Sequence, residues 1–238
     1  MPIRSHRYQL LVSLLTVALI PICVLIGYQS WLLQAEIRKA EEHQSVSTQQ
    51  IADQIESFVE MHRRGIEAAA FQITQSGERS KEKLDAILVA LYRQFPGFIN
   101  MYFADKRATT LAFHPEFNAR GESMVGADFS FREHFKNLLK EPRTYISPVL
   151  KGIGGTEKLL CTIVAPYFDK SGNFDGFVLG ALDLEKIGTI IKRAGLDKSI
   201  YAVVTDDQGQ AIYAPGWSAL SHPEALDIKA VSQANLVP

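Results

Sequence analysis

The segment Asp128-Phe-Ser-Phe-Arg-Glu-His-Phe-Lys136 sets a hydroxyl, a guanidinium and an imidazole on alternate residues. Arg132 carries a planar fork of donors that matches a carboxylate in bidentate geometry, and the free N–H groups of a helix starting here also favour an anion. Its other use is as a solvated Arg at a helix start, which the helix dipole slightly disfavours. Ser130 stands three residues before Glu133, the spacing of a capping box, so it serves as helix N-cap or as a ligand contact. His134 donates to a ligand, carries a pH dependence or packs as core beside Phe135. Lys136 is placed toward solvent.

Further polar groups come from strands. Tyr145 and Ser147 share one strand face by the period of two, as do Asn100 and Tyr102. Tyr and Ser each donate and accept, which suits an orienting role in a mostly apolar cavity, and core packing is the alternative for each. Asp183 ends an apolar strand and precedes Leu184-Glu-Lys-Ile187. It is an N-cap, a ligand contact, or both.

Catalytic constellations are not found. Gly152-Ile-Gly-Gly-Thr156 lacks the Gly-Lys-Ser/Thr ending of a phosphate loop and reads as a hairpin loop. The histidines (His6, His43, His62, His114, His134, His222) form no His-x-x-x-His pair and have no Cys partners, so no metal site is expected. No Gly-x-Ser-x-Gly elbow occurs. The expectation is therefore no enzyme and no cofactor in this segment. A formal charge of −1 without a long basic run removes nucleic acid as a partner. The two cysteines, Cys23 and Cys161, fall in unrelated elements and provide no disulfide framework.

The elements that must hold these groups follow from periodicity. Ile51, Ile55, Phe58, His62, Ile66, Ala69 and Ile73 recur every three or four residues and predict one long amphipathic helix. Its seam packs on a partner helix or on its own domain. Ser80 is the expected cap of a second helix, with Leu84, Ile87, Leu88, Leu91 and Phe95 on one face and Pro96-Gly97 at its end. Apolar runs predict strands at 98–104, 109–114, 144–150, 158–168 and 174–182, and a helix at about 131–140. The last two strands are joined by Asp169-Lys-Ser-Gly-Asn173, whose Gly supplies the positive φ of a hairpin turn. The result is an α+β fold with a five-stranded antiparallel sheet.

Ahead of all this, Tyr8 to Ala35 contains no charged residue, and residues 10–33 are long enough to cross about 30 Å of hydrocarbon as a helix. Arg4 and Arg7 precede the span, which places the N-terminus inside and the remainder outside. Tyr28 and Trp31 fall at its outer boundary. Near the C-terminus, Tyr201 to Pro215 repeats the pattern of Met101 to Pro115, which suggests a duplicated module.

The run Asp128 to Lys136, followed by Thr144-Tyr-Ile-Ser-Pro148, Ala165-Pro-Tyr-Phe-Asp169 and Gly176 to Leu184, resembles the double Cache family of extracytoplasmic sensor domains. These PAS-like domains occur in histidine kinases, diguanylate cyclases and chemoreceptors. The resemblance spans roughly Ile37 to Ala194. It implies a long helix beside the sheet, a small molecule bound between the sheet and the loop-helix carrying the Ser-x-Arg segment, and a homodimer on the long helices. Amino-acid-binding members carry Arg-x-Trp-Tyr; here the positions are Arg132, His134 and Phe135, which keeps the Arg and leaves organic acids open beside amino acids. In those members an Asp matching Asp183 takes the substrate ammonium. The expected organisation is a cytoplasmic tail (1–9), a membrane span (10–33), a signalling helix (34–78), a membrane-distal Cache module (79–195) and the start of a membrane-proximal one (196–238). The expected function is small-molecule sensing at the cell membrane through Arg132, Ser130, His134, Tyr145, Ser147, Asp183 and Tyr102. The alternative is a dimerising anchor that binds no ligand.

Overall fold

The structure is a computed structural model and describes residues 3–152, 158–194, 203–205 and 211–213. The chain divides into two compact units, Met1–Ala52 and Asp53–Pro238. Helix α1 (Ile3–Ser76) begins in the first unit and makes up its described residues. Val24, Leu25, Ile26, Trp31 and Leu33 of that unit are exposed, whereas Ile51 at its end is buried. Among the described residues, no helix is long and apolar enough to cross a membrane.

In the second unit, α1 and α2 (Lys81–Gln94) precede strands β1 (Phe98–Asp105) and β2 (Thr110–His114), then α3 (Glu133–Lys140). Strands β3 (Tyr145–Ile146), β4 (Leu150–Lys151), β5 (Leu159–Phe168) and β6 (Phe174–Asp183) follow, and α4 (Leu184–Arg193) comes next. The sheet runs β2-β1-β6-β5-β3, with β4 also paired to β5, and every pairing is antiparallel. It has six strands where five were expected. The single strand predicted over 144–150 breaks at Pro148, which has no N–H to give to a ladder. Ser147 makes the last bond before the break, its N–H donating to Thr162 O at 2.9 Å.

Alternation along the strands gives the sheet two buried faces. Met101, Phe103, Ile163, Val178 and Leu182 lie on one, with Gly180 at its centre, and α1 packs there through Ile66 and Ile73. A Cβ on Gly180 would meet Phe98 and Ile66, so the close approach of α1 requires glycine. The predicted helical seam is therefore filled within the module: His62, Ile66, Ala69 and Ile73 are all buried. Leu84 and Leu88 of α2 are fully buried. Each such aliphatic contributes roughly 1.5–3 kcal/mol by leaving water.

The second face carries the cluster of Tyr102, Ala104, Phe113, Val164, Phe177, Leu179 and Ala181, covered by Phe135 and Leu138 of α3. The β5–β6 turn has the predicted chemistry. Gly172 stands at φ +81°, and the Asp169 carboxylate accepts from the N–H groups of Ser171 and Asn173. Ser80 occupies the N-cap of α2 as expected, but its hydroxyl makes no cap bond. Instead the Glu78 carboxylate accepts the Ser80 N–H at 2.9 Å.

Of the expected C-terminal repeat, Tyr201 and most of 196–238 lie outside the described residues. What is described pairs as expected, β7 (Val204–Thr205) antiparallel to β8 (Ala211–Tyr213).

Candidate ligand-binding site

Cross-strand register builds the floor of the site. Asn100 on β1 and Thr162 on β5 are both partners of Ala181 on β6, and one step along Tyr102 and Val164 are both partners of Leu179. The pleat carries all six to the same face. Ala181 is too small to fill the space between its larger neighbours, and a cavity opens above it. Asn100, Tyr102, Thr162, Phe113, Phe129 and Leu160 are among its lining, with Arg132 and His134 on the α3 side.

The start of α3 differs from the expectation in a way that shapes this roof. The helix begins at Glu133 and not near Phe131; Arg132 is its N-cap, in extended backbone at φ −75° and ψ 140°. Ser130 is not a cap. Its N–H donates to the Asp128 carboxylate at 2.8 Å, and the Arg132 N–H donates to Phe129 O at 3.0 Å, so a turn delays the helix and no capping box forms. Glu133 instead pairs with Lys136 at 2.6 Å. Because Arg132 is held before the first turn, its side chain reaches the cavity.

The cavity measures about 40 Å³, room for only a few waters. Beside it lies an open cleft of about 520 Å³ lined by Phe131, Arg132, His134, Asn137, Tyr145 and Ser147, among others. Arg132 and His134 border both spaces. They form the wall between the two spaces.

Electrostatics in the cavity are set by that wall. His134 Nε2 and Tyr102 Oη share a hydrogen bond of 3.2 Å, and both side chains are buried. Burial, with the Arg132 charge adding to it, holds the His134 pKa down to about 3, so the imidazole is neutral. Burial pushes the Tyr102 phenol up, opposed by Arg132. The interior therefore offers neutral donors and acceptors beside one permanent cation.

The predicted site residues divide accordingly. Tyr102, Arg132 and His134 meet at the cavity, whereas Tyr145 and Ser147 line only the outer cleft. The Ser147 hydroxyl is already engaged, accepting from Thr162 N–H at 2.8 Å and donating to Pro148 O at 2.9 Å. Asp183 is the N-cap of α4, as one of its two expected uses required, and accepts from Glu185 N–H at 3.0 Å. Ser130 and Asp183 border neither space. Thr162, Phe113 and Phe129 are also among the lining and were not singled out. The only sequence signal for Thr162 is an aliphatic hydroxyl in a largely apolar strand.

Neither a scan of family models nor a search of curated proteins finds a match to this sequence. Solved structures do match. An extracellular ligand-binding receptor from Desulfohalobium retbaense is similar at 22% identity and a TM-score of 0.65, over 79% of this chain and 33% of that one. This chain thus spans about a third of that receptor. The ligand-binding domain of the Campylobacter jejuni chemoreceptor Tlp3, in complex with L-valine, matches at 12% identity and a TM-score of 0.60, over 81% of this chain and 78% of its own. That of the Pseudomonas aeruginosa amino-acid chemoreceptor PctC, in complex with GABA, matches at 20% identity and a TM-score of 0.56, over 70% of this chain and 72% of its own. The chain has the fold of the extracellular ligand-binding domains of chemoreceptors, the fold expected of a Cache-type sensor.

Proposed function

We propose that this chain is the extracytoplasmic sensing part of a membrane receptor and that it binds a small carboxylate-bearing metabolite beneath α3. The observation that carries the reading is the cavity in which Arg132, His134 and Tyr102 converge on a largely apolar sheet face. Its place in a fold shared with domains that bind L-valine and GABA supports the same reading. A module that only anchored or dimerised would have no need of a half-buried cation beside an empty space.

The anchor is residues 10–33, supported by the uncharged run Tyr8 to Ala35 and the helical backbone of α1. Arg4 and Arg7 orient the N-terminus inward. The receptor is a homodimer on α1. Since the His62–Ile73 seam is consumed by the module's own sheet, the partner meets the opposite stripe, where Met61 and Phe71 are exposed.

In operation the ligand enters by the cleft, displaces the Arg132–His134 wall and is covered by α3. Binding energy that differs between open and covered states biases α1, which packs on the other face of the same sheet. A thermal-shift screen of organic acids and amino acids on the full chain in detergent tests the reading. A ligand at a hundred times its dissociation constant should add about 2.7 kcal/mol of stability. No shift with any carboxylate would contradict it.

A further inference from the structure

Of the buried polar residues among those described, His62, Thr110, His134, Ser147 and Thr162, all but Thr162 use their side chains. His62 Nδ1 donates to Phe58 O, the Thr110 hydroxyl to Met124 O, His134 bonds Tyr102, and Ser147 bridges Pro148 and Thr162 N–H. The Thr162 hydroxyl has no partner among the described residues, although the residue is only 3% exposed. It lines the cavity opposite Asn100 across Ala181. A strand of Leu, Ile, Val and Ala could have carried Val here at no loss of hydrogen bonding.

We propose that Thr162 is a ligand-contacting, specificity-determining residue, and that the ligand is a short-chain 2-hydroxy or 2-keto acid. Its carboxylate lies on Arg132 and its neutral oxygen reaches Thr162 and the Tyr102–His134 pair. This rests on the cavity being the ligand site. The chemistry follows from the residues that line the space. A hydroxyl and a phenol both donate and accept, and a neutral imidazole has one nitrogen for each role, so together they satisfy a hydroxyl or a carbonyl. An ammonium would share the space with the Arg132 cation, and none of the described lining residues is acidic. Asp183, on the same face of β6, is committed to the N-terminus of α4. The small volume favours a short chain.

The test uses lactate, pyruvate, propionate and L-alanine, which share a carbon skeleton and differ in the group beside the carboxylate. Isothermal titration on the full chain in detergent should rank lactate or pyruvate above propionate by about tenfold, the value of one good hydrogen bond in a closed site. Alanine should bind more weakly still. Thr162→Val should erase the preference over propionate, and Thr162→Ser, which keeps the hydroxyl, should retain it. Because the hydroxyl has no partner in the empty protein, Thr162→Val should melt no lower than wild type. A purely structural Thr would give the reverse. Equal or tighter binding of alanine overturns the ligand class, and an unchanged preference in Thr162→Val overturns the role of Thr162. If all four fail while a longer carboxylate binds in an Arg132-dependent way, the short-chain class alone is wrong. If no carboxylate binds, the cavity reading falls and this inference with it.

Discussion

Two buried imidazoles, His62 and His134, give the module a defined response to acid. His62 Nδ1 donates to Phe58 O at 2.7 Å, so its Nε2 carries only a lone pair, which has no partner among the described residues. The ring is packed against Phe58, Phe95 and Phe98, with no charged group among these contacts. Burial lowers its pKa, partly offset by the Phe58 bond, and burial with Arg132 lowers that of His134 to about 3. Both folded values thus lie below the unfolded one, so unfolding takes up protons in acid. The stability these groups confer is fully present above about pH 6.5 and is lost as pH falls below it. Each adds up to about 1.4 kcal/mol per pH unit to the slope while it stays neutral in the fold. Denaturation of wild type and His62→Met between about pH 7.5 and about pH 5 checks this. The variant should show the shallower loss, and an identical slope would mean that His62 is protonated in the fold.

At the scale of elements, the placement of α1 depends on glycines that let side chains nest against backbone. A Cβ on Gly97 would collide with His62 and Phe58, and one on Gly180 with Phe98 and Ile66. Gly97→Ala and Gly180→Ala should each destabilise by about 1–3 kcal/mol as overpacked sites, read as a drop in the denaturation midpoint. Cysteines along residues 57–72 of α1 should crosslink between protomers at the Met61 and Phe71 stripe and fail at Ile66. Crosslinking without helical period would remove α1 as the dimer face. Much of this architecture was legible in the sequence. The three-and-four spacing from Ile51 to Ile73 gave the helix, and the period of two with Gly172 gave the β5–β6 hairpin. The choice between a partner helix and the module's own sheet was not legible, because both demand the same stripe. Nor was Thr162, since its position opposite Asn100 across Ala181 is set by long-range register between β1, β6 and β5. Ser130 misled because its capping-box spacing was real, while Asp128 two residues earlier took its N–H first.

At the scale of the whole molecule, the account joins an uncharged N-terminal run, a long helix and a sheet whose far face holds a cation-lined cavity. A reporter fused to the C-terminal end should be active outside the cytoplasm, as the bias of Arg4 and Arg7 requires; activity only inside would reverse the topology. The central claim is that the molecule senses a carboxylate through Arg132, and isothermal titration of the full chain, wild type against Arg132→Ala, tests it most directly. Removing one partner of a charge-assisted pair in a closed pocket costs about 2–5 kcal/mol of binding. The alanine variant should therefore lose well over tenfold in affinity while melting close to wild type in the absence of ligand, since an Arg at a helix N-terminus adds little to folding. Arg132→Lys should recover only part of the loss, because a point charge does not reproduce the bidentate fork. Binding by Arg132→Ala indistinguishable from wild type would contradict the account and return Arg132 to a structural role at the start of α3.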